Sequence, residues 1–193
     1  MNNNRTLLVI GLIATAIIIP STIIWRNYNG LVSAEIQVEN EWAQIQVQYQ
    51  RRHDLIPRIV NATNLYINYE QELLTDITQA RSTWTNSLSN PIDEQITASE
   101  NLDNVYNRLL AVVTVEDYPE LEGNQIVLGL IDELEGTENR IAVARQRYNE
   151  AVTDYNKKVR LFPGNIIANM FGFTQKPYYQ PGQGTDQPPN VPS

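Results

Sequence analysis

An apolar run from Leu7 to Trp25 opens the chain, and everything beyond it is polar, acidic and patterned with helical periodicity. The run holds no charge, and Arg5 and Arg26 bracket it. As a helix rising ~1.5 Å per residue it is about 28 Å long, close to the hydrocarbon thickness of a bilayer. It predicts a short N-terminal segment (residues 1–6) followed by a transmembrane helix (residues 7–25). A cleaved signal peptide is the rival reading, because Val32-Ser33-Ala34 offers small residues at the −3 and −1 positions of a cleavage site. The run is longer than a signal's apolar core of roughly 7–15 residues, and Arg26 interrupts the approach to that site. Ser21 and Thr22 can absorb the backbone bond lost at Pro20, and Trp25 and Tyr28 sit where an aromatic belt would lie. The retained anchor is the reading adopted. Arg5 and the amino terminus against Arg26 alone lean slightly to an orientation with the amino terminus inside, too little to fix the side of the soluble part.

Past the anchor, Val38, Trp42, Ile45, Tyr49, Arg52, Ile56, Ile59, Thr63, Tyr66, Leu73 and Ile77 recur mostly at alternating steps of four and three. That spacing makes one stripe on a helix, continuing through Ala80 and Trp84 toward Leu88, where Pro91 supplies a stop. A second run places Ile92, Ile96, Leu102, Tyr106, Leu109 and Val113 on one face and breaks in residues 116–123. The third repeats every seven residues at Val127, Leu134, Ile141, Tyr148, Tyr155 and Phe162, with Leu130, Thr137, Ala144 and Ala151 as companions, and ends at Pro163-Gly164. Strand signals are nearly absent. The expectation is all-α: the anchor, then an antiparallel bundle of three long helices over residues 31–162.

Pro57 decides the count. In mid-helix it removes a backbone bond at a cost of about 3 kcal/mol, whereas with Asp54 as a cap it would start a new helix and make four. The stripe keeps phase across it, which favours one long kinked helix. With three helices, residues 166–173 end far from the anchoring bilayer, as a segment that docks on the bundle or on a partner and does not touch its own membrane. With four, the same segment returns to the membrane surface.

Composition narrows the chemistry. With no Cys and a single His, His53, thiolate metal sites, multi-histidine zinc sites and Glu-x-x-His di-iron pairs are excluded. A net charge of −8 argues against nucleic acid as a partner. No phosphate loop, nucleophile elbow or zinc-protease signature occurs, and Asp132, Glu133, Glu135 and Glu138 lack a calcium loop's alternating ligands. No cofactor or metal is expected. Ile166, Ile167, Met170, Phe171 and Phe173 form the apolar segment within residues 163–179, and the Pro- and Gly-rich residues 180–193 read as a disordered tail.

Arg52 is the residue that needs a reason, since it sits on the apolar stripe. A buried guanidinium demands a facing carboxylate, and the third helix offers several within residues 133–138. Those two stretches also carry a resemblance. Gln50-Arg51-Arg52-His53-Asp54-Leu55-Ile56-Pro57 and Glu133-Leu134-Glu135-Gly136-Thr137-Glu138-Asn139-Arg140-Ile141, with the following residues through Asn149, resemble the signature of the LemA family. Tyr28-Asn29-Gly30-Leu31-Val32, Phe162-Pro163-Gly164-Asn165-Ile166-Ile167-Ala168, Phe171-Gly172-Phe173 and Pro177-Tyr178-Tyr179 match as well. The similarity spans about residues 7–179.

The resemblance implies a bacterial single-pass membrane protein with a helical-bundle domain and no defined enzymatic activity or ligand. One relative belongs to the machinery of magnetosome membranes, and family genes often neighbour membrane-protease or envelope genes. By analogy this implies a non-enzymatic scaffold or adaptor at the cell membrane, the alternative being a regulatory partner of a membrane protease or other envelope enzyme. The expected partners are the bilayer, through residues 7–25, and a protein or a second copy of the chain. Arg51, Arg52, Asp54, Glu135, Glu138 and Arg140 are expected to form an internal structural clamp.

Overall fold

Neither Pro20 nor Pro57 breaks the first helix. In the computed structural model, which describes residues 3–113 and 124–180, α1 runs without interruption over Asn3–Thr63. Beside Pro20, the hydroxyls of Ser21 and Thr22 donate to the carbonyls of Ile17 and Ile18, both at 2.8 Å. The start of α1 is long and apolar enough to cross a membrane, and its most apolar stretch is not buried within the chain. The other helices are α2 (Gln71–Ser87), α3 (Ile92–Val113), α4 (Gln125–Arg160) and α5 (Gly164–Phe171). The described residues are all-helical and contain no strand. The expected break in residues 116–123 lies outside the described residues, as does nearly all of the expected tail, residues 180–193.

One expectation is corrected. The first long helix does not reach Leu88; it ends at Thr63, and α2 is a separate element. The amides of Tyr66 and Ile67 both donate to the Thr63 carbonyl at 2.9 Å, and the Thr63 hydroxyl contacts that of Tyr69 at 2.5 Å. Asn61, Thr63 and Asn64 are weak helix formers whose side chains compete for backbone groups, which makes this a favourable place to stop. The apolar stripe nevertheless marks true core on both sides of the break. Ile56, Ile59 and Thr63 are buried, as are Leu73, Ile77, Ala80 and Trp84, whereas Tyr66 falls out of the stripe.

The chain divides into two compact units, Trp42–Tyr148 with Pro177–Ser193, and Met1–Glu41 with Asn149–Lys176. Within the first, α2 runs back along α1: Tyr69 meets Thr63, and further along the ring of Trp84 lies 6.5 Å from that of Tyr49. α3 runs alongside α1 in the same direction, Trp42 and Gln46 donating to Gln95 while Tyr49 and Arg52 reach Asp103. α4 opposes α1, with Arg51 on Glu133, Arg52 on Glu138 and the Trp42 ring tilted against that of Tyr148, 5.2 Å between centres. The seven-residue repeat of α4 is buried from Val127 through Tyr155, and only Phe162, past the helix end, is exposed.

In the second unit, α4 returns to the beginning of α1. Lys158 Nζ donates to the Gly30 carbonyl at 3.2 Å, and Lys176 pairs with Glu35 at 2.6 Å. Leu31, Ile167 and Ala168 form a small buried cluster against which Val159 and Phe173 pack. Phe171 lies 4.8 Å from Tyr28, ring centre to ring centre. The expectation that residues 166–173 end far from the apolar start of α1 is therefore wrong. The unforeseen break after Thr63 adds one reversal of direction, so α4 runs back toward the apolar start of α1 instead of away from it.

Candidate functional site

The most buried charged group on α1 is Arg52, whose side chain has 0 % exposure. Its position follows from the stripe, which puts it one turn from Tyr49 and Ile56 on the same face. Nη1 donates to Oδ1 of Asp103 on α3, and Nη2 donates to Oε2 of Glu138 on α4. Arg145, two turns further along α4, donates to the other oxygen of Asp103, Oδ2. The Tyr49 hydroxyl donates to that same oxygen at 2.8 Å. It also meets the Tyr179 hydroxyl at 2.8 Å, and Arg145 donates to both phenols. Two guanidiniums thus grip one carboxylate from opposite sides.

Aromatic faces complete the enclosure. The Arg52 guanidinium carbon lies 4.2 Å from the centre of the Tyr106 ring, and that of Arg145 lies 4.4 Å from the centre of Tyr179. Such cation–π contacts gain strength where water is excluded. The Nε atoms of Arg52 and Arg145 are buried without a hydrogen-bond partner. With Arg52 and Arg145 set against Asp103 and Glu138 the formal charges balance.

Burial pushes the Asp103 carboxyl above its ordinary range, and the guanidiniums of Arg145 and Arg52 pull the other way. Burial also raises the Tyr49 phenol well above its usual value, helped by the charge of Asp103 and opposed by Arg145. Tyr179 is pushed up to about 12, chiefly by burial. At neutral pH the phenols are hydrogen-bond donors and acceptors, not ionised groups. Both oxygens of Asp103 are engaged by donors of the cluster itself, while the Nε of each arginine is unpaired and the Glu138 side chain is half-exposed.

The expected clamp residues divide. Arg52 and Glu138 join in the cluster. Arg51 forms a separate pair with Glu133 at 2.7 Å on the surface. Asp54 accepts from Gln50 at 3.0 Å and contacts His53 at 2.9 Å, turned away from the cluster. Burial nudges its carboxyl up, but the hydrogen bonds from His53 and Gln50 outweigh this and hold it low. Glu135 is exposed and reaches Tyr106 only through its charge. Arg140 is exposed too, its guanidinium folded over Gly136, where Nη1 lies 3.3 Å from the place a Cβ would occupy. Of the apolar segment, Ile167 and Phe173 pack inward and Phe171 touches Tyr28, while Ile166 and Met170 remain outside.

Sequence reasoning missed Asp103, the carboxylate at the centre, and the roles of Tyr49, Tyr106, Arg145 and Tyr179. A signal was present in part. Asp103 lies between Leu102 and Tyr106 of the α3 stripe, and Arg145 follows Ala144 on the α4 seam, so both border apolar faces. Periodicity does not mark Tyr179, which reaches the cluster from beyond α5; its one signal is the Pro177-Tyr178-Tyr179 stretch that resembles the family signature. The stretch carrying it is held by Tyr148, whose hydroxyl donates to the Pro177 carbonyl at 2.8 Å.

The sequence model of the LemA family matches residues 41–192. Protein LemA of Metamycoplasma hominis is 28% identical over 142 residues, which cover 72% of this chain and 63% of that relative. The chain thus spans less than two thirds of that relative's length. Magnetosome protein MamQ 2 of Paramagnetospirillum magneticum is 25% identical over 95% of this chain and 75% of its own length. Magnetosome protein MamQ of Magnetospirillum gryphiswaldense is 22% identical over 86% and 70%, respectively. The matched region contains Tyr49, Arg52, Asp103, Glu138, Arg145 and Tyr179, and over it the chain belongs to the LemA family.

Proposed function

We propose that this LemA-family chain is a non-enzymatic scaffold or adaptor anchored in the cell membrane. Residues 7–25 cross the bilayer once, and the helices of the Trp42–Tyr148 unit form an antiparallel bundle that offers its outer surface to a protein partner or to a second copy. The observation carrying this reading is the Arg52–Asp103–Arg145 cluster, in which both oxygens of the one carboxylate are taken by arginines of other helices. The most buried charges are consumed in tying α1, α3 and α4 together, which suits a structural tie better than a site that must receive a substrate. The apolar start of α1 and the similarity to proteins named for the magnetosome support a place at a membrane.

In-cell crosslinking followed by purification of the full chain in mild detergent tests the proposal. Recovery of a stoichiometric non-proteolytic partner, or of the chain crosslinked to itself, is the expected outcome. A membrane protease recovered in stoichiometric amount, with proteolysis altered when the chain is deleted, would replace it by the regulatory-subunit reading. Turnover by the purified chain that disappears in Glu138→Gln would overturn it.

A further inference from the structure

α5 is apolar nearly all round, and only one side of it has found a partner within the chain. Ile167 and Ala168 are buried against Leu31. Ile166 and Met170, one helical turn apart, share the opposite face and are exposed, Met170 to 63 %. Leu161 and Phe162, in the turn leading into α5, are exposed as well, Phe162 to 79 %. Soluble surfaces rarely leave adjoining large apolar side chains of this kind uncovered without a use for them.

The level at which this patch sits identifies what covers it. Phe171 and Phe173 lie 4.8 and 5.8 Å from Tyr28, ring centre to ring centre. Tyr28 follows Trp25, the last residue of the apolar run, by three positions, an advance of only ~4.5 Å along a helix. The bond from Lys158 to the Gly30 carbonyl holds the end of α4 at the same height. Lys157, Lys158 and Arg160 crowd the last turn of α4, and Arg26 closes the apolar run. Cations at the level of headgroups would each add attraction to anionic lipid, although Lys157 also lies 3.4 Å from Asp154. Between two copies of the chain the same cations would repel. The eight residues of α5 also present far less area than a stable protein interface needs.

We propose that α5 lies in the headgroup–acyl boundary of the bilayer that α1 crosses, with Phe162, Ile166 and Met170 inserted, as a second, non-spanning membrane contact. Its chemistry is apolar insertion at the interface assisted by the basic residues of the neighbouring α4 end, and it favours anionic phospholipid. The contact lies to one side of α1 and so fixes the rotation of that helix about its own axis. The proposal rests on residues 7–25 crossing the bilayer.

The chain has no cysteine, so single spin labels can be placed by Met170→Cys, Ile166→Cys, Ile13→Cys in the anchor, and Gln79→Cys on the exposed side of α2 as an aqueous control. The labelled full chain is reconstituted in vesicles of phosphatidylcholine with phosphatidylglycerol, and collisions with lipid-soluble oxygen and a water-soluble nickel complex are compared. The expected result is an oxygen-to-nickel ratio at positions 166 and 170 several-fold above that at 79 and below that at 13. The ratio should fall when phosphatidylglycerol is omitted. A ratio at 166 and 170 equal to that at 79, with 13 deep in lipid, overturns the proposal and leaves the anchor standing. A shallow value at 13 removes the anchor reading and the proposal together. Spin–spin broadening at 170 that vanishes on dilution with unlabelled chain would assign the patch to a second copy and overturn the lipid contact.

Discussion

Arg52 and Arg145 hold the two oxygens of one carboxylate, Asp103, from opposite sides, and they come from different helices to do so. A guanidinium pair sharing one anion is stable only while that anion is present. Removing the partner of a buried charge typically costs about 3–5 kcal/mol, because the remaining charge stays desolvated. Asp103→Asn is therefore expected to destabilise the protein by an amount in that range, read as a large fall in melting temperature by circular dichroism. Replacing Arg52 and Asp103 together by Met and Leu should cost less than the sum of the single changes. Additive losses would show that the two residues do not act as a pair.

Arg51 and Glu133 form the contrasting case. Their side chains are 51 % and 33 % exposed, so water screens the pair, and exposed pairs contribute about 0–1 kcal/mol. Arg51→Ala should leave the melting curve close to that of the native chain and should lose its small effect at high salt. A drop comparable to that of Asp103→Asn would contradict the division of the arginines into one buried tie and one surface pair.

The phenols give a pH dependence with a defined sign. Tyr155 and Tyr179 are both pushed up to about 12, chiefly by burial, from the ordinary 10.0. A raised phenol pKa contributes stability that is fully present below pH 10 and is lost as pH rises through 12. Tyrosinate absorbance should show a late-titrating class near pH 12 while the fold persists, and the melting temperature should fall across that window. Tyr179→Phe is expected to make this alkaline fall shallower. An unchanged profile would mean that Tyr179 is not buried against Arg145.

Gly164 starts α5 at a point where a side chain has no room. A Cβ there would run into the backbone carbonyl oxygen of Lys158, whereas at Gly129 it would meet nothing within 4 Å. Gly164→Ala should cost about 1–3 kcal/mol as an overpacking change and should raise proteolysis of residues 161–173. Gly129→Ala, in mid-helix, should be neutral or stabilising by roughly 0.5–1 kcal/mol. Gly172, at φ +80° where α5 ends, should resist Ala by about 1–2 kcal/mol for a different reason, the left-handed backbone it adopts.

The helical class, the apolar start of α1 and most of the core faces were legible in the chain itself, because they are local. A helix declares its buried face every three or four residues, and the α4 repeat from Val127 to Tyr155 did so at each position. Arg52 also announced a buried charge, since a guanidinium on an apolar stripe has no other cheap explanation. What periodicity could not supply was the identity of its main partner. Asp103 and Arg145 border their stripes as ordinary surface charges would, and only the register between helices brings them within reach.

The break after Thr63 depends on small propensity differences in Asn61, Thr63 and Asn64, unmarked by glycine or proline, while the stripe keeps much of its phase beyond it. Tertiary packing of α2 against α1 decided that the chain turns there. That single reversal sends α4 back to Gly30 and sets Phe171 against Tyr28. The position of α5 beside the apolar start of α1 is thus a consequence of how many times the chain folds back, a non-local quantity that no window of sequence contains.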